Sequence, residues 1–288
     1  MKINWFPGHM KKTLSVISQE LKGVDFVIYI LDARAPVSSL NPLFNNMFQN
    51  KSILFVFNKY DLADQDKINK FENIFNNKKY ETLKLNSIDN INKNILINKI
   101  KSDIKIKKKI ERHKDKNVNA TIKVMVVGVP NSGKSTFINR LAGKYKAVTG
   151  NKPGVTKQKQ WISIGDNIKV LDTPGTLWPD LENQVFANRL ITIGSIRKGI
   201  FAIEELILNF LKDILPQYKN KIEKRYNIEI SSEENAIDVF EKIAKTKNFY
   251  IRNKEIDYTK TAELILNDFQ SGRLSKITLD SPKDFKND

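Results

Sequence analysis

Four apolar runs in the first two-thirds of the chain predict buried strands. They are FVIYILDA (26–33), SILFVFNKYD (52–61), IKVMVVG (122–128) and IKVLDTPG (168–175). Each is rich in Val, Ile, Leu and Phe and ends in a polar or Gly-containing turn, a pattern typical of parallel strands that helices cover on both faces. The segments between them have room for crossover helices. The pattern therefore predicts an α/β fold with a doubly wound, mostly parallel sheet.

Two shorter runs predict further strands of the same sheet. YETLKLNS (80–87) is the weaker pattern, whereas WISIG (161–165) is short and close enough in sequence to pair with 168–172. The basic stretch KIKKKIERHKDK (105–116) fits the exposed face of a helix. We therefore expect the α/β domain to occupy residues 1–184.

Helical spacing replaces the strand pattern after Pro179. Apolar positions in 201–215 recur every three or four residues, and Pro216 is expected to stop that helix. A helix in 231–245 is predicted to open with a capping box formed by Ser231 and Glu234.

A third helical segment, 261–272, ends at Gly272, a plausible helix C-cap. No strong strand pattern occurs in this part of the chain. We expect a smaller all-α domain at residues 185–288, following the α/β domain.

The chain carries a formal net charge of +17 and contains no cysteine. Because the chain has no cysteine, a disulfide framework and a thiolate metal site are excluded. The positive charge is uneven: residues 1–184 hold 31 Lys+Arg and 16 Asp+Glu, against 18 and 16 in residues 185–288. Such a charge favours a polyanionic partner such as nucleic acid, although Lys outnumbers Arg 41 to 8, a bias typical of AT-rich genomes. No apolar run approaches a membrane span, so we expect a soluble cytoplasmic protein without a membrane partner.

The segment GVPNSGKS, residues 128–135, matches the phosphate-binding loop pattern G-x-x-x-x-G-K-[ST] between a strand and a helix. Gly128 and Gly133 let the backbone curl so that N–H groups face phosphate oxygens, and the next helix offers its positive N-terminus. Lys134 is expected to reach the β- and γ-phosphates, and Ser135 to bind Mg²⁺. Four further residues complete the predicted contacts of this loop and its neighbours: Asn131, Ser132, Thr136 and Gly175.

DTPG, residues 172–175, ends the strand that starts near Ile168. Asp172 is placed to hold Mg²⁺ through water, and the Gly175 N–H can meet the γ-phosphate. KPGVTK (152–157) lies between the phosphate loop and DTPG, where a phosphate-sensing segment belongs. We expect Thr156 to close over the metal.

NKYD, residues 58–61, matches the pattern with which GTP-binding proteins select guanine, but a tetrapeptide alone carries a high false-positive risk. A carboxylate at Asp61 accepts from guanine N1–H and the exocyclic amine, a donor pair that adenine lacks. Asn58 and Lys59 are expected to frame the base. Ser87, in the next strand–helix loop, is a further candidate for base contact.

The order of these motifs is unusual, because NKYD precedes the phosphate loop. A GTPase domain cut after DTPG, with its former ends joined, gives this order. Together with NWFPGHM, DARAP and FQSGRLSKITLDSP, the motifs make the chain similar to the circularly permuted GTPases, and within them to the ribosome biogenesis GTPase A family. The resemblance covers nearly the whole chain.

The resemblance implies GTP binding and hydrolysis during late assembly of the large ribosomal subunit, with rRNA and ribosomal proteins as partners and Mg²⁺ as cofactor. It also implies that Asn131 can help bind K⁺ near the phosphates. We expect a monomer.

The residues after DTPG are Thr176, Leu177 and Trp178, so the Gln that orients water in many GTPases is absent. In the permuted order the N-terminal segment takes the place of the second switch helix, and His9 lies at its start. Histidine can orient or deprotonate water near neutral pH, and the family assigns this histidine a catalytic role. His9 is the predicted catalytic residue.

Other functions remain open from the sequence. A non-catalytic, GTP-dependent RNA-binding module is favoured by the missing Gln and opposed by the Mg²⁺ residues and His9. A signalling or tRNA-modifying GTPase is disfavoured by the charge, and an ATPase by Asp61.

Overall fold

The computed structural model describes residues 8–89, 92–114, 120–143, 160–165, 167–178, 183–196 and 202–285. Six strands form one sheet: β1 (Phe26–Asp32), β2 (Ser52–Asn58), β3 (Glu81–Lys84), β4 (Ile122–Val127), β5 (Gln160–Ile164) and β6 (Ile168–Asp172). Their order is β3-β2-β1-β4-β6-β5, and all neighbours are parallel except β5 and β6. The predicted strands, including the β5–β6 pairing, are confirmed.

Helices cover both faces of the sheet, as its apolar strands require. Those in this part of the chain are α1 (Gly8–Leu21), α2 (Leu43–Met47), α3 (Gln65–Asn77), α4 (Lys93–Ser102), α5 (Ile104–Lys114) and α6 (Lys134–Ala142). Odd-numbered β1 residues such as Tyr29 face a core shared with α1 and α3, whereas even-numbered ones such as Ile28 face α4, α5 and α6. The described part of the basic stretch, up to Lys114, is helical, as predicted.

In the residues described after the sheet there are four α-helices: α7 (Gln184–Thr192), α8 (Ile203–Tyr226), α9 (Ala236–Thr246) and α10 (Tyr258–Gln270). Their core is continuous with the α/β part, because Val129, Leu177 and Trp178 belong to the same buried cluster as their inner faces. Short 3-10 turns lie at Tyr60–Leu62, Arg252–Lys254 and Pro282–Asp284. Within the described ranges, no helix is long and apolar enough to cross a bilayer.

Two predicted helix boundaries were wrong. Helix α8 continues through Pro216 and bends at Tyr218, whose φ of −125° is not helical. A proline breaks one helix hydrogen bond but the helix can resume beyond a kink when packing holds both halves, and here α8 is buried on both sides of the bend. Helix α9 is capped by Asn235 and Asp238, while Glu234 instead accepts from the Ser231 N–H in the preceding loop.

The chain after α10 returns to the α/β part as an extended segment. The Leu279 N–H donates to the Arg34 carbonyl at 2.7 Å, and the Ile277 N–H donates to the Leu62 carbonyl at 3.2 Å. This returning segment therefore lies along the loops that follow β1 and β2. Those loops belong to the carboxyl edge of the sheet, where parallel α/β folds bind their ligands.

Candidate nucleotide site

The phosphate-binding loop connects β4 to α6 and passes very close to its neighbours. A Cβ on Gly128 would lie 2.3 Å from the Ile30 carbonyl oxygen, and one on Gly133 would lie 2.2 Å from Asn58 Nδ2. Gly133 also has a left-handed φ of 96°. Glycine is therefore required at both positions, and the curled backbone can present its N–H groups, with the N-terminus of α6, to an anion.

Lys134 is buried in this loop, with 6 % of the residue exposed. Its Nζ donates to the carbonyls of Gly128, at 3.1 Å, and Val129, at 2.9 Å. Burial lowers the pKa of Lys134 to about 8, and Asp172 opposes that shift. A bound phosphate would place negative charge beside this amine and so favour its protonated form.

Asp172, at the end of β6, accepts from the Ser135 hydroxyl at 3.0 Å. Its other oxygen, Oδ1, is buried without a hydrogen-bond partner among the described residues. Burial raises the pKa of Asp172, while Lys134 and the Ser135 hydroxyl lower it. A buried carboxylate oxygen beside a serine hydroxyl fits Mg²⁺, a hard cation that prefers oxygen ligands. Ser135 and Asp172 would hold this ion, which would neutralise charge on the phosphates.

Asn58, the first residue of NKYD, lies inside the site instead of at its surface. Its Nδ2 donates to the Ser132 carbonyl at 2.6 Å, and its Oδ1 accepts from the Ser87 N–H at 2.9 Å and the Ser87 hydroxyl at 2.7 Å. Asn58 and Ser87 thus connect three loops of the sheet edge.

The other two motif residues, Lys59 and Asp61, have different surroundings. Lys59, in the left-handed region at a φ of 58°, donates to the Asn131 carbonyl at 2.7 Å and to Asp32 Oδ2 at 2.8 Å. Asp61 lies in the 3-10 turn Tyr60–Leu62 and is exposed, so its carboxylate is accessible to a ligand at the edge of the sheet. Thr136, on the first turn of α6, is half-buried.

DTPG lies against the phosphate loop. A Cβ on Gly175 would lie 2.6 Å from Pro130 Cα and 3.0 Å from Lys134 Nζ, and the Thr176 N–H donates to the Gly128 carbonyl at 3.3 Å. Leu177 and Trp178 are buried in the core shared with α7 to α10. The peptide at Gly175 therefore lies beside the lysine expected to bind the γ-phosphate.

Asn131 connects the phosphate loop to the helices. It has a left-handed φ of 58°, and its Nδ2 donates to the Gly194 carbonyl, in the turn after α7, at 2.8 Å. In the same turn the Ser195 hydroxyl donates to the Pro130 carbonyl at 2.8 Å. The helices thus contact the nucleotide site directly, in addition to the covalent connection after DTPG.

Comparison with known proteins agrees with this geometry. A family model described as a 50S ribosome-binding GTPase matches residues 123–254. Ribosome biogenesis GTPase A of Bacillus cereus is 35 % identical over 286 residues, which span 99 % of this chain and 96 % of that protein. This chain belongs to the ribosome biogenesis GTPase A family. It is a GTPase with a P-loop GTPase fold, as the sequence predicted.

Relatives and solved structures extend the comparison for this GTPase. The Bacillus licheniformis protein of the same name is 35 % identical over 285 residues, covering 99 % of this chain and all of that protein. A GDP-bound YlqF structure superposes with a TM-score of 0.68 at 22 % identity, covering 93 % of this chain and 99 % of the other. GNP-bound YlqF from Thermotoga maritima gives 0.65 at 23 % identity, covering 95 % and 100 %. These structures share the fold, and the order of elements here is consistent with the circular permutation of that family.

Two predicted residues are not located by the structure. Thr156 and the rest of 152–157 lie outside the described residues, as does the side chain of His9, although the His9 backbone belongs to the first turn of α1. Two residues of the site were given no role from the sequence, namely Asp32 and Arg34 of DARAP. Their position directly after a buried strand, at the same sheet edge as NKYD, is the signal that marks them.

Proposed function

We propose that this GTPase binds GTP with Mg²⁺ and hydrolyses it as a step in assembling the large ribosomal subunit. The observation that carries the proposal is the convergence of NKYD, the phosphate loop and DTPG on one edge of the sheet, with the helices touching that edge at Gly194 and Ser195. The names of the relatives and the net charge of +17 support a ribosomal partner. We place the protein in the cytoplasm as a monomer.

Asp61 is proposed to select guanine, because its exposed carboxylate can accept two hydrogen bonds that adenine cannot donate. Asp61→Asn should weaken GTP and GDP binding and leave ADP binding as it is. Unchanged preference for GTP over ATP in a competition assay would remove this role.

His9 is proposed to orient the attacking water, since the buried Leu177 and Trp178 follow DTPG in place of a Gln. His9→Ala should lower single-turnover hydrolysis by about 100-fold, in the range of general-base contributions, while GTP affinity stays near that of the parent. His113, the other histidine, lies on α5 with its ring near the Lys109 carbonyl. His113→Ala is the matched control, and equal turnover in both variants would exclude His9 from catalysis.

Two cations are proposed at the phosphates. Mg²⁺ would be held by Ser135, Asp172 and Thr156, so Asp172→Asn should reduce the dependence of GTP affinity on added Mg²⁺. K⁺ would be bound near Asn131, and hydrolysis should be faster in K⁺ than in Na⁺ buffer. Equal rates in the two buffers would remove the K⁺ site and leave the Mg²⁺ proposal intact.

The helical residues 185–288 are proposed to bind rRNA or ribosomal protein in an orientation that depends on GTP. Sedimentation with purified large subunits should recover more protein with a non-hydrolysable GTP analogue than with GDP. Small subunits are the control particle. Equal recovery with both nucleotides would contradict the coupling, and recovery no better than with small subunits would contradict the proposed partner.

A further inference from the structure

A chain of charges begins at Lys59, whose side chain is 23 % exposed, and continues into the buried residues Asp32 and Arg34. Lys59 Nζ lies 2.8 Å from Asp32 Oδ2, and Arg34 forms a bidentate pair with the same carboxylate, through Nε at 2.9 Å and Nη2 at 2.7 Å. The side chains of Asp32 and Arg34 are 1 % and 2 % exposed. Burial alone would raise the pKa of Asp32, but the two cations hold it well below its usual range. The carboxylate is therefore charged and shared between the two basic residues.

Arg34 also contacts the helices. Its guanidinium donates to the Ile193 carbonyl at 3.3 Å and to the Gln270 carbonyl at 3.4 Å, and lies 5.3 Å from the ring centre of Phe269. A planar guanidinium can serve the carboxylate and both carbonyls at once, which lysine cannot do. Arg34 thus joins the end of β1 to the ends of α7 and α10.

These contacts close into a ring. In the turn Ile193–Ser195, the Ile193 carbonyl accepts a hydrogen bond from Arg34, and the Gly194 carbonyl accepts one from Asn131 Nδ2. The Asn131 carbonyl in turn accepts from Lys59 Nζ at 2.7 Å. The ring therefore passes through NKYD, DARAP, the turn after α7 and the phosphate loop. Each hydrogen bond restrains the residues that it joins. We therefore expect a displacement of the turn to change the position of the Lys59 side chain.

We propose that Asp32 and Arg34 are positioning residues of the nucleotide site, which hold Lys59 against the phosphate loop and tie both to the turn after α7. The inference rests on the proposed role of NKYD and the phosphate loop in binding GTP. By thermodynamic reciprocity, nucleotide binding stabilises the seating of the helices on this edge as much as that seating strengthens nucleotide binding.

Two variants and one matched control test the proposal in the full-length chain. Asp32→Asn removes the charge between Lys59 and Arg34, and Arg34→Lys keeps a cation but loses the bidentate pair. Asp268 also forms a bidentate pair with an arginine, Arg225, at 2.9 and 2.8 Å, and is 0 % exposed, but this pair joins α10 to α8 and includes no member of the ring. Asp268→Asn therefore breaks the same kind of pair without touching the ring.

The readouts are affinity for a fluorescent GDP analogue, kcat and KM for GTP, and thermal unfolding to establish that each variant is folded. Asp32→Asn should bind GDP at least about tenfold more weakly and Arg34→Lys about threefold, with KM raised and kcat within about twofold. Asp268→Asn should lower the unfolding temperature and leave GDP affinity unchanged. A merely structural role would make the Asp32 and Asp268 variants lose affinity alike.

Hydrogen exchange tests the connection to the helices. Saturating GDP should slow exchange of the peptide that contains Ile193–Ser195 in the parent, and should do so less in Arg34→Lys. If the parent binds GDP but Arg34→Lys and Asp32→Asn match it in affinity and exchange, the positioning role is overturned while the proposed function stands. A parent that binds no guanine nucleotide would instead overturn the proposed function.

Discussion

The side chain of Asn58 donates a hydrogen bond of 2.6 Å to the carbonyl of Ser132, and so joins NKYD, the proposed base-reading motif, to the phosphate loop. Oδ1 of the same side chain accepts hydrogen bonds from the N–H and the hydroxyl of Ser87. This bond joins loops 74 residues apart, so the proposed sites for the base and for the phosphates share one support. Asn58 is 1 % exposed, and its described contacts hold the two neighbouring loops together.

Replacing Asn58 by alanine should weaken GDP and GTP equally. The change leaves the buried Ser132 carbonyl and the Ser87 donors without their partner, which typically costs about 1–3 kcal/mol, equal to a loss of affinity of about fivefold to 150-fold. Isothermal titration with each nucleotide measures this. Asn86→Ala, at a half-buried asparagine that caps the Ile88 N–H, is the control. A loss confined to one nucleotide would contradict the shared support.

Gly133→Ala should abolish tight nucleotide binding, because its Cβ would overlap Asn58 Nδ2 at 2.2 Å. Gly165 also has a positive φ, 67°, but a Cβ there would meet nothing within 4 Å. Gly165→Ala therefore carries backbone strain of about 1 kcal/mol without the overlap. We expect it to bind GDP like the parent, and equal losses in the two variants would assign the effect to strain alone.

Nucleotide binding should take up protons at alkaline pH. The pKa of Lys134 is about 8 in the structure, so at pH 8.5 roughly three-quarters of the amines are neutral before binding. The phosphates favour the charged amine and raise its pKa, so uptake approaches about 0.7 proton per nucleotide at pH 8.5 and falls toward zero at pH 6.5. Calorimetry in buffers of different ionisation enthalpy measures the protons taken up. Uptake that is the same at both pH values would contradict the assignment.

In the nucleotide-free protein, Lys134 makes the free energy of unfolding increase as the pH rises. Its folded pKa lies below the ordinary value of 10.5, so the unfolded chain binds more protons between pH 8 and 10.5. The contribution of Lys134 to the free energy of unfolding therefore increases through that window. Lys134→Met should remove this part of the pH dependence of urea unfolding, and an unchanged slope would exclude it.

Arg189→Met should destabilise the returning segment. Arg189 lies 3.0 Å from Asp280 and 2.6 Å from Asp284, and Asp280 is 0 % exposed and accepts from Ser38. Burial raises the pKa of Asp280 and Arg189 lowers it, so removing the arginine raises it further. The variant should lose about 3 kcal/mol at pH 7 and less at pH 4.5, where the carboxyl can bind a proton.

A surface pair supplies the control for that experiment. Lys219 lies 3.8 Å from Glu223 on α8 and is 40 % exposed. Lys219→Met should cost less than about 1 kcal/mol in urea unfolding at either pH, because solvent screens such pairs. A loss for Arg189→Met that is no larger than this, or that is the same at both pH values, would show that Asp280 does not depend on Arg189.

The sequence by itself determined the strands, most helices and the motifs, because these depend on local periodicity and on residues spaced within a few positions of one another. The sequence also predicted that β5 pairs with β6. It explained the order of the motifs by a GTPase domain that is cut after DTPG. It failed at Pro216, where packing on both sides of the bend outweighs one lost hydrogen bond. It also failed at the cap of α9, where Asn235 lies four residues beyond the predicted Ser231.

Only the tertiary structure decided where the motif side chains point. Asn58 and Lys59 both belong to NKYD, yet one bonds the Ser132 carbonyl and the other Asp32, and both contacts depend on which strands lie side by side. The partners of Arg34 on α7 and α10 lie 159 and 236 residues away in the chain. No local pattern encodes such contacts, because they form only when the helices bury their apolar faces against the edge of the sheet.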